Sequence, residues 1–127
     1  MALWAAAERK QIEAQVAAHT ITTIFYIAAR QRGPAIARRL IGDLLLVPSV
    51  ARIDGAILRR ALSLGWPDFE DAVCAAAAEA AGCHLLVSRD PRGFPDSPVL
   101  VVDPTTAVAM LRPGPDQVAE RRRRGKR

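Results

Sequence analysis

The sequence predicts an α/β fold: a mostly parallel sheet flanked by helices in a three-layer sandwich. Three observations carry that expectation. Short apolar segments alternate with longer stretches of helical periodicity, the pattern of strand–helix–strand units. Aspartates and glycines punctuate the helical stretches where caps belong. The chain of 127 residues is long enough for one domain with its own core. Half of it is apolar and only 5% aromatic, so that core is built from Ala, Leu, Val and Ile.

Taken in order, residues 3–14 show helix-like periodicity and are followed by a short strand from Ala14 to Ala18. A helix runs from Thr20, which offers a hydroxyl as N-cap, to about Gln31, where Gly33-Pro34 stops it. Within it Ile21, Phe25 and Tyr26 lie at helical spacing and read as core. Pro34 opens the next helix at a favoured first-turn position, and that helix reaches about Leu45. Leu46–Ile53 is apolar and β-branched enough for a buried strand. Asp54 caps a helix through Leu64 that Gly65 ends, and Asp68 caps another running to Ala81 before Gly82. His84–Ser88 and Val99–Val102 are strands. Asp103-Pro104-Thr105 starts a last short helix reaching about Leu111. Residues 1–112 thus form the domain.

Residues 113–127 read as a disordered basic tail, set apart by Pro113, Gly114 and Pro115. Residues 121–127 hold six of the 18 basic residues behind the formal net charge of +5. Residues 1–120 carry 12 basic against 13 acidic groups, a net charge of −1, so the folded body is nearly neutral. RRRRGKR, with Arg121, Arg122, Arg123 and Arg124, offers RNA a polycation through counterion release, or is simply a solvated terminus. Cys74 and Cys83 each sit in an apolar stretch, match no zinc spacing and read as small core residues. A reduced, cytoplasmic setting therefore fits better than a disulfide framework. No apolar run is long enough for a membrane span, and MALWAAAERK lacks the layout of a signal peptide. His19 and His84 stand apart from any acid triad pattern and read as packing or surface residues. There is no Gly-rich phosphate loop, Walker-type motif or GxSxG.

The chemistry is concentrated between Trp66 and Phe94. Residues 68–81 as helix span about 21 Å, and 83–89 as strand span about 23 Å. Two elements of equal length joined at Gly82 run antiparallel, so Asp90 returns to the neighbourhood of Asp68 and Asp71. That edge is where open α/β folds place their ligand crevices. A helix N-terminus there favours anions such as a phosphodiester, and clustered carboxylates suit Mg²⁺ or Mn²⁺ rather than zinc. A plainer reading stands beside this one: Asp68 as N-cap, Asp71 as an N3 acid, Glu70 as a solvated first-turn acid. Ser88 or Arg89, at the strand end, is a candidate to line the same edge, although a strand-end Ser is more often structural.

The run DFEDAVCAAAAEAAGCHLLVSRDPRGF resembles the C-terminal half of PIN-domain ribonucleases, the fold of VapC-type toxins. Asp71 matches the acid opening an Ala-rich helix, Ser88-Arg89-Asp90 the turn after the next strand, and Phe94 the aromatic plug beyond it. The likeness extends back through HTITTIFYIAAR and ALSLGW and forward to VVDPTTAVAML, covering roughly residues 2–111. It implies Mg²⁺- or Mn²⁺-dependent cleavage of RNA, with Asp71 and Asp90 as catalytic metal ligands and Asp68 as an additional or supporting one. It also implies a toxin–antitoxin pair in which the antitoxin covers the acidic groove, and a homodimer. Two departures qualify it. Nothing matches the family's opening strand and its Asp, so the chain is expected to lack about 20 residues, one strand and one helix. The family's next acid falls near Thr23, which cannot ligate as a carboxylate. The competing expectation is a catalytically silent PIN-like scaffold acting by RNA or protein binding.

Overall fold

A computed structural model describes residues 2–111, and everything below concerns those residues. The elements follow as α1 (Ala2–Glu8), β1 (Gln15–Ala17), α2 (Ala18–Arg32), α3 (Pro34–Leu44), β2 (Ser49–Ala51), α4 (Gly55–Leu64), α5 (Phe69–Ala80) and β3 (Leu85–Val87). A 3₁₀ turn (Pro91–Gly93), β4 (Leu100–Val102) and α6 (Pro104–Leu111) complete them. The pairing is parallel throughout, as the alternation of helices and strands requires. β1 pairs with β2 in the register Val16↔Val50, and β3 with β4 in the register Leu86↔Val101. The strands form two separate two-stranded ladders, where the sequence suggests one sheet.

Several helix ends follow the local chemistry. Asp54 accepts the Ile57 N–H at 3.0 Å, and Gly65 closes α4 at φ 68°, a left-handed value that costs glycine little. Asp103 caps α6 by accepting the Thr106 N–H at 2.7 Å. Pro34 occupies the first turn of α3. Other ends differ from expectation. α2 starts at Ala18, with Ala17 as a cap residue that makes no side-chain bond. The hydroxyls of Thr22 and Thr23 instead bond back to the His19 carbonyl at 2.8 and 3.0 Å, so Thr20 is an internal residue. α1 stops at Glu8 rather than near residue 14, because Lys10 turns into the left-handed region at φ 58° and reverses the chain towards β1. β2 is shorter than Leu46–Ile53. Leu46 and Val47 turn back onto α3, donating to Asp43 and Leu44, and Pro48 has no N–H to give a ladder.

The main core lies between β2, α4 and α5: Ala51, Ile57, Ala61, Ala72, Val73, Ala76 and Ala77, with Ile53, Leu64 and Trp66 packed against it. Small alanines let α4 and α5 approach closely. Ala75 is also fully buried, although it points away from that cluster around the helix, so α5 is apolar on opposite faces. α5 shares this core with α4 and β2 and also contacts β3, while Phe69, Glu70, Glu79 and Ala80 stay exposed. Arg60 of α4 pairs with Glu79 of α5 at 2.9 Å on the outer side. α2 carries no buried residue, and Tyr26 is 61% exposed rather than part of the core; Ile21 and Phe25 are half-buried. No helix among the described residues is long and apolar enough to cross a membrane.

Candidate functional site

The acids of Trp66–Phe94 are gathered at the start of α5. Asp68 is the N-cap of that helix: its backbone is extended and its carboxylate accepts the Asp71 N–H at 3.1 Å. The capping reading of Asp68 therefore holds, and the bond fixes one of its oxygens towards the helix. Glu70 is exposed on the first turn. Asp71 is half-buried. Burial is the main cause that raises its pKa above the ordinary carboxylate value. The charges of Asp68, Asp90 and Glu70 push the same way.

Asp90 arrives from the other direction. β3 runs back along α5, Ser88 continues the β3–β4 ladder by donating its N–H to the Val102 carbonyl, and its hydroxyl accepts the Asp90 N–H at 3.1 Å. The chain then enters the 3₁₀ turn, where Gly93 donates to the Asp90 carbonyl at 3.2 Å. This turn lies directly over Asp71: a Cβ placed on Gly93 would stand 3.2 Å from Asp71 Oδ2. Phe94, buried at the end of the turn, meets Trp66 edge to face, with ring centroids 5.6 Å apart at 86°. An aromatic pair in this arrangement is worth about 0.5–1.5 kcal/mol beyond its buried area. Here it ties the Asp90 turn to the segment that leads into α5. Gly93 and Trp66 are invisible as site residues in the sequence, because their part is a close approach and a clamp rather than a chemical group.

The C-terminal end of β1 reaches the same helix. His19, two residues past that strand, places Nε2 3.4 Å from Cys74 Sγ, one turn along α5 from Asp71. Burial, followed by the charges of Asp71, Glu70 and Asp68, pushes the Cys74 thiol up to about 11. The thiol is therefore neutral near pH 7 and packs rather than reacts. His19 has the packing role that its sequence context suggests.

Asp71 and Asp90 thus share one edge, with Asp68 held beside them as a cap. Among the described residues no three His, Cys, Asp or Glu side chains converge tightly enough to cage a metal ion. Hard oxygen donors in a pair nevertheless suit Mg²⁺ or Mn²⁺, because such ions are commonly held by one or two carboxylates plus waters and substrate phosphates. Arg89 is exposed between Ser88 and Asp90 and enters neither of the described ion pairs. Arg121, Arg122, Arg123 and Arg124, with the whole 113–127 segment, lie outside the described residues. Cys74 and Cys83 are both free.

A family model described as PIN domain matches residues 1–92, a span that includes Asp68, Asp71, Arg89 and Asp90. No curated protein and no solved structure matches the chain.

Proposed function

The chain belongs to the PIN-domain family, a nuclease-type fold, and we propose that it is a Mg²⁺- or Mn²⁺-dependent endoribonuclease acting as the VapC-like toxin of a type II toxin–antitoxin pair. The observation that carries this reading is the meeting of Asp71 and Asp90, from two different elements, at the C-terminal edge of the strands. Asp71 and Asp90 would hold the cation, with Asp68 in support through its fixing of the start of α5. The cation supplies a Lewis acid and an activated water for phosphodiester hydrolysis. Asp71 gains from a cation in particular, since a carboxylate crowded by three others in a half-buried place is electrostatically unfavourable alone. Arg89 lies on the same edge as a contact for the RNA backbone, and the 121–124 arginines add sequence-independent affinity.

An antitoxin covering this edge would have to mask an acidic surface. A homodimer is the proposed assembly. The cytoplasm is the proposed location, supported by two half-buried cysteines left unpaired. The decisive experiment is cleavage of single-stranded RNA with Mn²⁺ by the wild-type chain and by Asp90→Asn. Cleavage by the wild type and its loss in the variant is the expected outcome. Equal rates would sink the assignment.

A second reading rests on one observation: among the described residues no three His, Cys, Asp or Glu side chains are grouped so that they could hold a metal ion. In it the chain is a silent PIN-like scaffold that binds RNA or protein without cleaving. Calorimetric titration with Mn²⁺ separates the two, because binding that Asp71→Ala abolishes counts against a silent scaffold.

A further inference from the structure

Charge in this molecule is segregated. Between residues 66 and 96 stand Asp68, Glu70, Asp71, Glu79, Asp90 and Asp96 against Arg89 and Arg92 only. The α2–α3 hairpin has the opposite balance, with Arg30, Arg32, Arg38 and Arg39 against the single acid Asp43. All four arginines are exposed, and none takes part in an ion pair among the described residues. They also lie close together along the hairpin. Arg30 and Arg32 occupy the last turn of α2, and Arg38 and Arg39 the second turn of α3. At 1.5 Å per residue, all four fall within about 10 Å, measured along the helix axes, of the turn at Gly33.

One of these arginines is already organised for a planar ligand. The Arg30 guanidinium lies 5.6 Å from the centre of the Tyr26 ring and donates to its hydroxyl at 3.2 Å. Tyr26 itself is 61% exposed, an unusual position for a tyrosine with no partner beyond that arginine. An exposed aromatic in contact with one guanidinium, on a hairpin that carries three more exposed arginines, has the chemistry of single-stranded nucleic-acid binding: phosphates meet the cations while a base stacks on the ring. The hairpin is also connected to the acid edge. Its first residues include His19, which touches Cys74 one turn from Asp71, and α2 then extends about 20 Å away from that contact. A polyanion is repelled by an acidic edge, so a basic anchor at a distance is what the edge itself does not supply.

We infer that the closed end of the α2–α3 hairpin is a binding site for single-stranded RNA, with Arg30, Arg32, Arg38 and Arg39 on the phosphates and Tyr26 beneath a base. The choice of RNA as ligand rests on the ribonuclease reading of the Asp71–Asp90 edge, but the site's chemistry is independent of cleavage. Binding is measured by fluorescence anisotropy on labelled oligouridine in EDTA, across a range of salt concentrations, with the full chain. The variant carrying Arg30→Gln, Arg32→Gln, Arg38→Gln and Arg39→Gln is expected to bind at least about tenfold more weakly. Its salt dependence should flatten by about three in the slope of log K against log salt, the loss of four single-strand phosphate contacts. Tyr26→Ala is expected to weaken binding about tenfold while leaving that slope unchanged, a split that a merely structural defect would not produce.

The four-lysine equivalent keeps the charge and should retain the slope, and the melting temperature of each variant reports folding. If the fourfold variant melts low, the Arg30→Gln/Arg32→Gln and Arg38→Gln/Arg39→Gln pairs replace it, each expected to lose about half the slope change. An unchanged affinity and slope overturn the inference. So does a wild-type affinity that deletion of residues 121–127 removes entirely, or a variant whose only defect is loss of self-association, which would make the hairpin a protein interface. The catalytic reading fails separately. A chain that binds through the hairpin yet does not cleave with Mn²⁺ leaves this site standing, whereas Asp71→Asn should abolish cleavage with EDTA-phase binding intact.

Discussion

Asp71 is held where its ionised form is disfavoured, and that has consequences at the scale of the single residue. Its pKa is raised in the folded chain by burial and by its acidic neighbours. A raised acid favours folding below the unfolded carboxylate range and opposes it as pH climbs through the folded value. Asp71→Asn should therefore melt higher than the wild type at neutral pH in EDTA, and the gap should close as the pH falls below the carboxylate range. Differential scanning fluorimetry across pH checks both halves of that statement, and a constant gap would contradict it. Gly93 makes a different demand. An added methyl would meet Asp71 Oδ2 at 3.2 Å, so the carboxylate must move by a few tenths of an ångström. Gly93→Ala is expected to weaken Mn²⁺ affinity in calorimetry while changing stability by no more than about 0.5 kcal/mol. The sequence shows which acids gather here. It does not show that the turn carrying Asp90 needs a glycine against Asp71, because that depends on an approach across two elements.

At the scale of elements, the aspartate caps were legible, whereas the start of α2 and the element lengths were not. Asp54, Asp68 and Asp103 each bond the N–H three residues ahead, a purely local interaction that a sequence pattern can express. The end of α1 depends instead on where the chain must turn towards β1, which no local pattern encodes, whereas Pro48, with no N–H to give a ladder, marks the short β2 in the sequence itself. Tyr26 is the instructive miss. Its helical spacing suits a core, yet the face it shares with Arg30 has no covering element among the described residues. α5 is the opposite case, with Ala72, Val73, Ala75, Ala76 and Ala77 all buried. Ala76, 1% exposed between α4 and α5, has no room for a larger side chain. Ala76→Leu should cost about 1–3 kcal/mol in urea unfolding, whereas the same change at exposed Ala80 should cost little. Equal costs at the two positions would refute the close α4–α5 packing.

For the whole molecule, stability against acid follows from acids held in the ionised form. Hydrogen bonding to Arg60 lowers the pKa of Glu79, and the Thr106 backbone N–H lowers that of Asp103. Depressed acids contribute stability above their unfolded values and lose it as pH falls through the folded ones. Both groups are exposed, so the contribution is small and screened by salt. Glu79→Gln should accordingly destabilise at neutral pH and low ionic strength, with the difference from wild type shrinking in salt and in acid. A deficit indifferent to both would mean that the α4–α5 ion pair is not its source. The chain's own letters determined the fold class, the aspartate caps and the identity of the acids, because helical period, strand alternation and capping chemistry are local. Only the tertiary structure decided that Asp71 is the crowded acid, that Asp90 folds over it on a glycine turn, and that the strands stand as two ladders. Those are relations between elements distant in sequence, set by how α5 packs against several of them at once.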